Sequence, residues 1–308
     1  MEIKERYNHL NKYLINKLGE RTLKICIDGG FTCPNRDGSV ATHGCIFCSE
    51  RGSGEHLQSA KNITKQVQDY FKSYKAERAN KFIAYFQNFT NTYAPIDVLK
   101  EKYDSALIDD RIVGLAVATR PDCINEDVCK LLKSYSEKYY VWVELGLQTS
   151  NNTTGNLINR GFSSEQFSYA VSLLNKYNID VVTHIMIGLP NENFDNLKNT
   201  VNFINRHSIQ GLKIHSTYVV ENTALADMFF NGTYTPISLD YYIQAASFVL
   251  THINPDIVIH RISGDAPKNL LLAPDWNSHK KWIINGLDAF LRDNDLWQGK
   301  DYVYAKKL

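Results

Sequence analysis

Apolar positions along the chain fall into two kinds of run that alternate. Short stretches rich in β-branched and aromatic residues occur at 23–28, 81–86, 112–118, 139–147, 180–187 and 212–220. Near-continuous apolar runs such as Val141-Trp142-Val143 are the pattern of strands covered by helices on at least one face. Between them, 63–78, 96–108, 125–137, 163–177 and 193–207 carry the spacing of amphipathic helices. Two of these open with cap-like sequences, Ser163-Ser164-Glu165-Gln166 and Asn193-Phe194-Asp195. Repeated strand–helix alternation predicts an α/β fold of parallel strands joined by helical crossovers. From the pattern alone, six such units either close partway into a barrel or lie as an open doubly wound sheet. After residue 220 the rhythm changes to a helix at 237–252, a strand at 256–262 and a helix at 278–292. The expected organisation is an N-terminal segment 1–22, a main body 23–220 and a C-terminal α+β extension 221–308 packed on the sheet.

Composition narrows the class. The 308 residues are 44% hydrophobic and 22% charged, which suits a folded globular protein and argues against disorder. Lys and Arg total 34 against 33 Asp and Glu, so a basic coat for nucleic acid is excluded, although a local basic patch is not. No apolar run has the length of a membrane span, and residues 1–20 lack a signal-peptide core, so a cytoplasmic enzyme with no membrane partner is expected. In a reducing cytosol the cysteines Cys26, Cys33, Cys45, Cys48, Cys123 and Cys129 are not expected to form disulfides.

Four of those cysteines lie between residues 26 and 48. Cys45 and Cys48 have two residues between them, a spacing at which a tight turn presents two thiolates to one metal. Cys33 precedes them across a loop containing Pro34, Gly38 and Gly44, which can fold back to bring a third sulfur. Three thiolates would hold a [4Fe–4S] cluster with one iron left for a ligand. The same residues also suit a zinc knuckle completed by His43 or His56, or a set of buried free thiols. Cys26, inside the first strand, reads as a small core residue.

The loop follows the first strand of a parallel α/β array, where catalytic loops sit. In that context the chain resembles the radical S-adenosylmethionine (SAM) enzymes. The phrase Ile27-Asp28-Gly29-Gly30-Phe31-Thr32-Cys33-Pro34-Asn35-Arg36-Asp37-Gly38 resembles the YtqA/YhcC (MnmL-like) group, related to the Elongator catalytic subunit and to oxygen-independent coproporphyrinogen oxidase. The resemblance implies a partial (β/α)6 TIM-like barrel with the C-terminal extension completing the substrate site. It implies Cys33, Cys45 and Cys48 as cluster ligands, and SAM as the second cofactor, cleaved to a 5′-deoxyadenosyl radical that abstracts hydrogen from an unactivated carbon.

Further candidates lie at successive strand ends. The segment 85–93 stands where the family receives the methionine amino group; Gln87 and Asn88 replace the expected glycines, although such a run also suits turn chemistry. Arg120 either faces an anionic group in the pocket or forms a surface ion pair. Glu144, Gly146 and Gln148 alternate onto one face, and the resemblance assigns Glu144 and Gln148 to SAM. By the same resemblance Arg160, twelve residues after Gln148, holds the methionine carboxylate, and His184 and Met186 line the adenosine side. Lys213 and His215 share a strand face that could reach substrate. His260, Arg261 and Trp276 fall in segments resembling the group's C-terminal signatures and are expected at the substrate, with Trp276 either stacking on a base or anchoring a loop.

The resemblance further implies tRNA as substrate, with 5-carboxymethylaminomethyl-(2-thio)uridine at the wobble position converted to the 5-aminomethyl form, and an electron donor such as flavodoxin or ferredoxin. Lys61, Lys65, Lys72, Lys75 and Arg78 would help hold the tRNA, unless they are only a solvated helix face. The rival functions are a radical enzyme acting on a small molecule such as a tetrapyrrole, and a zinc-stabilised RNA-binding protein without catalysis.

Overall fold

The strands are β1 (Thr22–Ile27), β2 (Lys81–Phe86), β3 (Ile112–Thr119), β4 (Tyr140–Gln148), β5 (Asp180–Ile187), β6 (Gly211–Ser216), β7 (Val219–Val220), β8 (Val258–Arg261) and β9 (Leu271–Ala273). The computed structural model that defines them describes residues 5–52, 54–55, 57 and 62–304. Strands β1 to β6 pair in parallel in chain order, and β8 adds a seventh parallel strand to the β6 edge. The strand expected at 256–262 is therefore part of the main sheet, not of a layer packed on it. The run expected at 212–220 divides: β6 ends at Ser216, and β7 pairs antiparallel with β9 in a separate two-stranded sheet.

The sheet curls. Strands β2 and β6 are four strand spacings apart, about 19 Å along a flat sheet. Yet Lys213 Nζ on β6 donates to the Tyr85 hydroxyl on β2 at 3.0 Å. The expected partial barrel is the observed architecture, with β1 and β8 as its two edges.

Alternation sorts each strand between the two faces. Ile25, Phe82, Phe86, Val143, Ile185 and Ile214 point outward into the core made with the helices. Those helices are α2 (Ile63–Phe71), α3 (Ile96–Asp104), α4 (Glu126–Tyr135), α5 (Asn152–Leu157), α6 (Ser164–Lys176), α7 (Phe194–Asn205), α8 (Ala224–Phe230), α9 (Leu239–His252) and α10 (Lys280–Asp293), after an N-terminal α1 (Leu10–Leu18). Both cap signals are realised as capping boxes, Ser163 with Gln166 and Asn193 with Asn196.

Inside the barrel, Ile83, Tyr85, Ala116, Trp142 and Val182 form an apolar lower layer, which Leu14 of α1 seals. Helix α1 packs on both edge strands, and His9 bridges to Ile259 of β8. The polar N-terminal segment thus supplies a plug. Interior residues nearer the strand C-termini are polar, and they make the site.

Candidate active site

The cysteine loop leaves β1 and is braced from three sides. Within it, Cys48 N–H donates to the Cys45 carbonyl at 2.9 Å, the tight turn anticipated from their spacing. Arg36 reaches back and donates to the carbonyls of Cys48, Ser49 and Glu50. Asn159 Nδ2 holds the Gly44 carbonyl at 2.6 Å. Ile46 and Phe47 pack on an apolar cluster of Val219, Leu225, Ala226 and Tyr234. The residues beyond 216 therefore buttress the loop.

Cys33, Cys45 and Cys48 line one cavity of about 280 Å³ at the C-terminal mouth of the barrel. Burial, reinforced by Cys48 and Cys33, pushes the Cys45 thiol up to about 12, with Arg120 opposing. Burial also raises Cys48, opposed by Arg36. Cys45 and Cys48 are thereby held as neutral thiols until a metal centre binds them, and a coordinating thiol loses its proton. Asn35 Nδ2, 3.6 Å from Cys45 Sγ, adds a weak donor toward one sulfur. The donor set fits an iron–sulfur cluster. Among the described residues no group of three His, Cys, Asp or Glu side chains is set to hold a single metal ion. His43 is exposed, and His56 lies outside the described residues. Cys26 sits inside the barrel against the lower apolar layer, and Cys129 is in the outer core.

Gln87, Gln148, His184 and Met186 line the same cavity. Gln148 takes a left-handed φ of 61° at a β4–β5 register shift, which turns its side chain back over Gly146. A Cβ on residue 146 would lie 2.5 Å from Gln148 Nε2, so a side chain there would push the Gln148 amide out of this position. Gln148 Oε1 and Thr90 Oγ1 are buried without a hydrogen-bond partner, as atoms awaiting a ligand would be. In the loop after β2 the amides divide their work. Asn91 Nδ2 donates to the carbonyls of Phe86, Asn88 and Ala118, which is turn chemistry, while Gln87, Phe89 and Thr90 face the cavity. Phe89 holds a left-handed φ of 60°, the conformation a glycine would adopt freely.

Several expected contacts are elsewhere. Asn88 is buried but does not line the cavity. Arg160 is 1% exposed and also outside the lining; it donates to the carbonyls of Phe162, Leu147 and Thr149 and to Asn152 Oδ1. A guanidinium so occupied cannot also clasp a methionine carboxylate, and here it ties the end of β4 to α5. Glu144 borders the cavity, but its carboxylate is fully engaged by protein. Tyr85 donates at 2.6 Å, His184 at 2.9 Å and Trp142 at 3.1 Å, and Lys213 completes the set. Glu144 acts as the hub of a buried network. Contact with Lys213 and His184 outweighs its burial and holds it well below the usual carboxylate range. Burial draws Lys213 down to about 7, with Glu144 opposing, and His184 down to about 4.

His260 packs edge-on to Trp142 in the lower layer, with ring centroids 5.6 Å apart, and does not reach the cavity. A register shift between β6 and β8 leaves Arg261 paired with Lys213 and facing the cavity. Trp276 is a core anchor: its Nε1 donates to the Ile237 carbonyl at 3.1 Å and its ring lies 5.4 Å from Tyr242. It is not available for base stacking. Arg120 lines the cavity but is bound bidentately by Asp122. Of the basic residues, Lys61 lies outside the described residues and Lys65 pairs with Asp69. Lys72, Lys75 and Arg78 come after α2 and just before β2, at the end of the barrel opposite the mouth. Sequence reading missed Tyr85, Phe47, Phe162 and Tyr218, which all border the cavity. Alternation with Ile83 would have placed Tyr85 inside; the others sit on loops with no periodic signal. No helix among the described residues is long and apolar enough to cross a membrane.

Comparison with known proteins agrees with this geometry. The model of the radical SAM superfamily matches residues 38–204, and that of the radical SAM C-terminal domain matches residues 209–293. YtqA of Bacillus subtilis (strain 168) is 39% identical over 301 residues, covering 96% of this chain and 92% of its own length. A tRNA uridine(34) acetyltransferase of Dehalococcoides mccartyi (strain CBDB1) is 30% identical over 161 residues, 51% of this chain and 34% of that protein. The solved structure of archaeal Methanocaldococcus infernus Elp3 with an N-terminal deletion superposes with a TM-score of 0.67 at 18% identity, covering 90% of this chain and 64% of the other, a likeness of fold. The extent of the family match and of the YtqA likeness, on a barrel whose mouth carries three cysteines, shows that the chain belongs to the radical SAM superfamily of enzymes.

Proposed function

We propose that this enzyme modifies the wobble uridine of tRNA, converting 5-carboxymethylaminomethyl-(2-thio)uridine to the 5-aminomethyl form. The observation that carries the radical chemistry is the convergence of Cys33, Cys45 and Cys48 on one cavity lined by unsatisfied polar atoms. Those thiols would hold a [4Fe–4S] cluster. When bound, cluster and SAM together supply a 5′-deoxyadenosyl radical. Gln148 Oε1 and Thr90 Oγ1 are the buried acceptors and donors suited to polar groups of SAM, and Met186 offers an apolar contact to its adenosine. The Glu144 network keeps the interior wall rigid beneath them. An electron carrier of the flavodoxin or ferredoxin type would serve as reductant.

The likeness to a tRNA uridine(34) acetyltransferase over half of the chain supports the RNA reading. A wobble nucleotide turns out of its loop at small cost, so its C5 substituent can enter a pocket this narrow. Nucleoside mass spectrometry of tRNA from a strain lacking the gene tests it. The carboxymethylaminomethyl nucleoside should accumulate and the aminomethyl-derived ones disappear. Unchanged nucleosides, with no redundant enzyme present, would point instead to a small-molecule substrate.

A further inference from the structure

Three arginines line the cavity, Arg36, Arg120 and Arg261, and they are not equivalent. Arg36 is committed to three backbone carbonyls. Arg120 is committed to Asp122 and to the Arg160 carbonyl. Arg261 donates no such hydrogen bond among the described residues and keeps one ion pair, Nη2 to Asp265 Oδ2 at 3.2 Å. That carboxylate is half-exposed and also holds Lys280 at 2.9 Å. Arg261 therefore presents to the cavity a guanidinium fork held only by one shared, half-exposed carboxylate.

Its neighbours on the same wall are also poised. Lys213 is its register partner on β6, and His215 follows two residues on, facing the same way. His215 Nε2 is buried with no partner. In this corner Glu144 is taken by Lys213, and Asp265 is shared between Arg261 and Lys280, so Arg261 has no carboxylate to itself. We propose that Arg261, with His215 Nε2 and the Lys213 charge beside it, forms a subsite that takes a carboxylate carried into the cavity on a slender group of the substrate. A planar fork matches a carboxylate or a phosphate equally. Position favours the carboxylate: the Arg261 side chain is 31% exposed, but Lys213 and His215 Nε2 lie deeper, where a slender acid arm reaches and a backbone phosphate of RNA, held at the rim, does not. The substrate named above carries such a group in its carboxymethyl arm, and the inference rests on that reading only for this identification. The methionine carboxylate of SAM is the other source of the same chemistry.

The test uses the full-length holoenzyme under anaerobic conditions with two anticodon stem-loops. They differ only in carrying carboxymethylaminomethyl- or aminomethyluridine at the wobble position. The wild type should bind the acid-bearing loop at least about tenfold more tightly, the scale of one charged hydrogen bond. Arg261→Gln should abolish that preference while leaving affinity for the aminomethyl loop and for SAM unchanged. Arg261→Lys should retain part of the preference, which also guards against a folding defect in the first variant. The proposal is overturned if the preference survives Arg261→Gln, if both loops weaken equally, or if SAM affinity falls instead. N-methylglycine, followed by saturation-transfer NMR, separates the subsite from the RNA reading. If neither loop binds but N-methylglycine binds in an Arg261-dependent way, the subsite stands and the tRNA reading fails. If the loops bind alike and N-methylglycine does not bind, the subsite fails and the tRNA reading stands.

Discussion

Gly155 lies inside α5, where replacing glycine by alanine ordinarily adds about 0.5–1 kcal/mol of stability. Here a Cβ would sit 2.7 Å from Arg160 Nη2. That guanidinium is buried and fixed by four hydrogen bonds, so it has nowhere to swing. Gly155→Ala should therefore destabilise, by about 1–3 kcal/mol in urea unfolding, the usual cost of overpacking; a gain would show that Arg160 is not fixed. The Glu144–Lys213 pair gives a second test. Glu144→Leu leaves Lys213 buried and unpaired, at about 3–5 kcal/mol, whereas Glu144→Leu with Lys213→Met should lose clearly less than the two single changes summed. Additive losses would mean the pair is not coupled. These residues also mark how far side chains were legible. Alternation identified Glu144, Gln148, His184 and Lys213 as interior residues, because period-two geometry fixes a face. It could not say which polar groups the protein itself consumes. Arg160 and Glu144 looked like ligand contacts, yet their partners are backbone carbonyls and residues distant in sequence, which a linear pattern does not display.

At the scale of elements, β2 and β5 occur with the predicted bounds: Asn80 and Gln87 bracket the apolar run of β2, and Gly188 ends β5. Helix α1 was not anticipated. It is short, with Asn11, Lys12, Asn16 and Lys17 among its residues, and the apolar Leu10, Leu14 and Leu18 find partners only once the barrel has closed around them. Leu14 is 2% exposed against Ile83, Tyr85 and Trp142. Leu14→Ala should cost about 2–5 kcal/mol by equilibrium denaturation, the range for a buried large-to-small change. A loss below about 0.5 kcal/mol would mean the plug is peripheral. The β6–β7 division was equally hidden: the apolar run continues through Val220, but after Ser216 the chain leaves the main sheet to meet β9, a partner about 50 residues later in sequence.

For the whole molecule, the polar barrel interior predicts a response to acid. Burial lowers His184 to about 4 and holds His215 and His260 well below the ordinary 6.5. Between those values the unfolded chain binds protons that the folded chain does not, so stability is full above 6.5 and falls as pH drops toward 4. His184 alone accounts for about 3 kcal/mol across that window. Thermal unfolding midpoints should decline steeply as the pH is lowered from about 7 to about 5; a flat profile would contradict the buried, neutral histidines. The central claim, that three cysteines at one barrel mouth hold the reactive centre, is tested most directly by anaerobic iron–sulfur reconstitution of the full chain. Iron content and 5′-deoxyadenosine release should be measured on the same samples. Cys33→Ala, Cys45→Ala and Cys48→Ala should each lose both signals, and Cys26→Ala, Cys123→Ala and Cys129→Ala should each keep both. Retention of iron and 5′-deoxyadenosine in any of the first three variants, or loss of both in Cys26→Ala, would contradict the account.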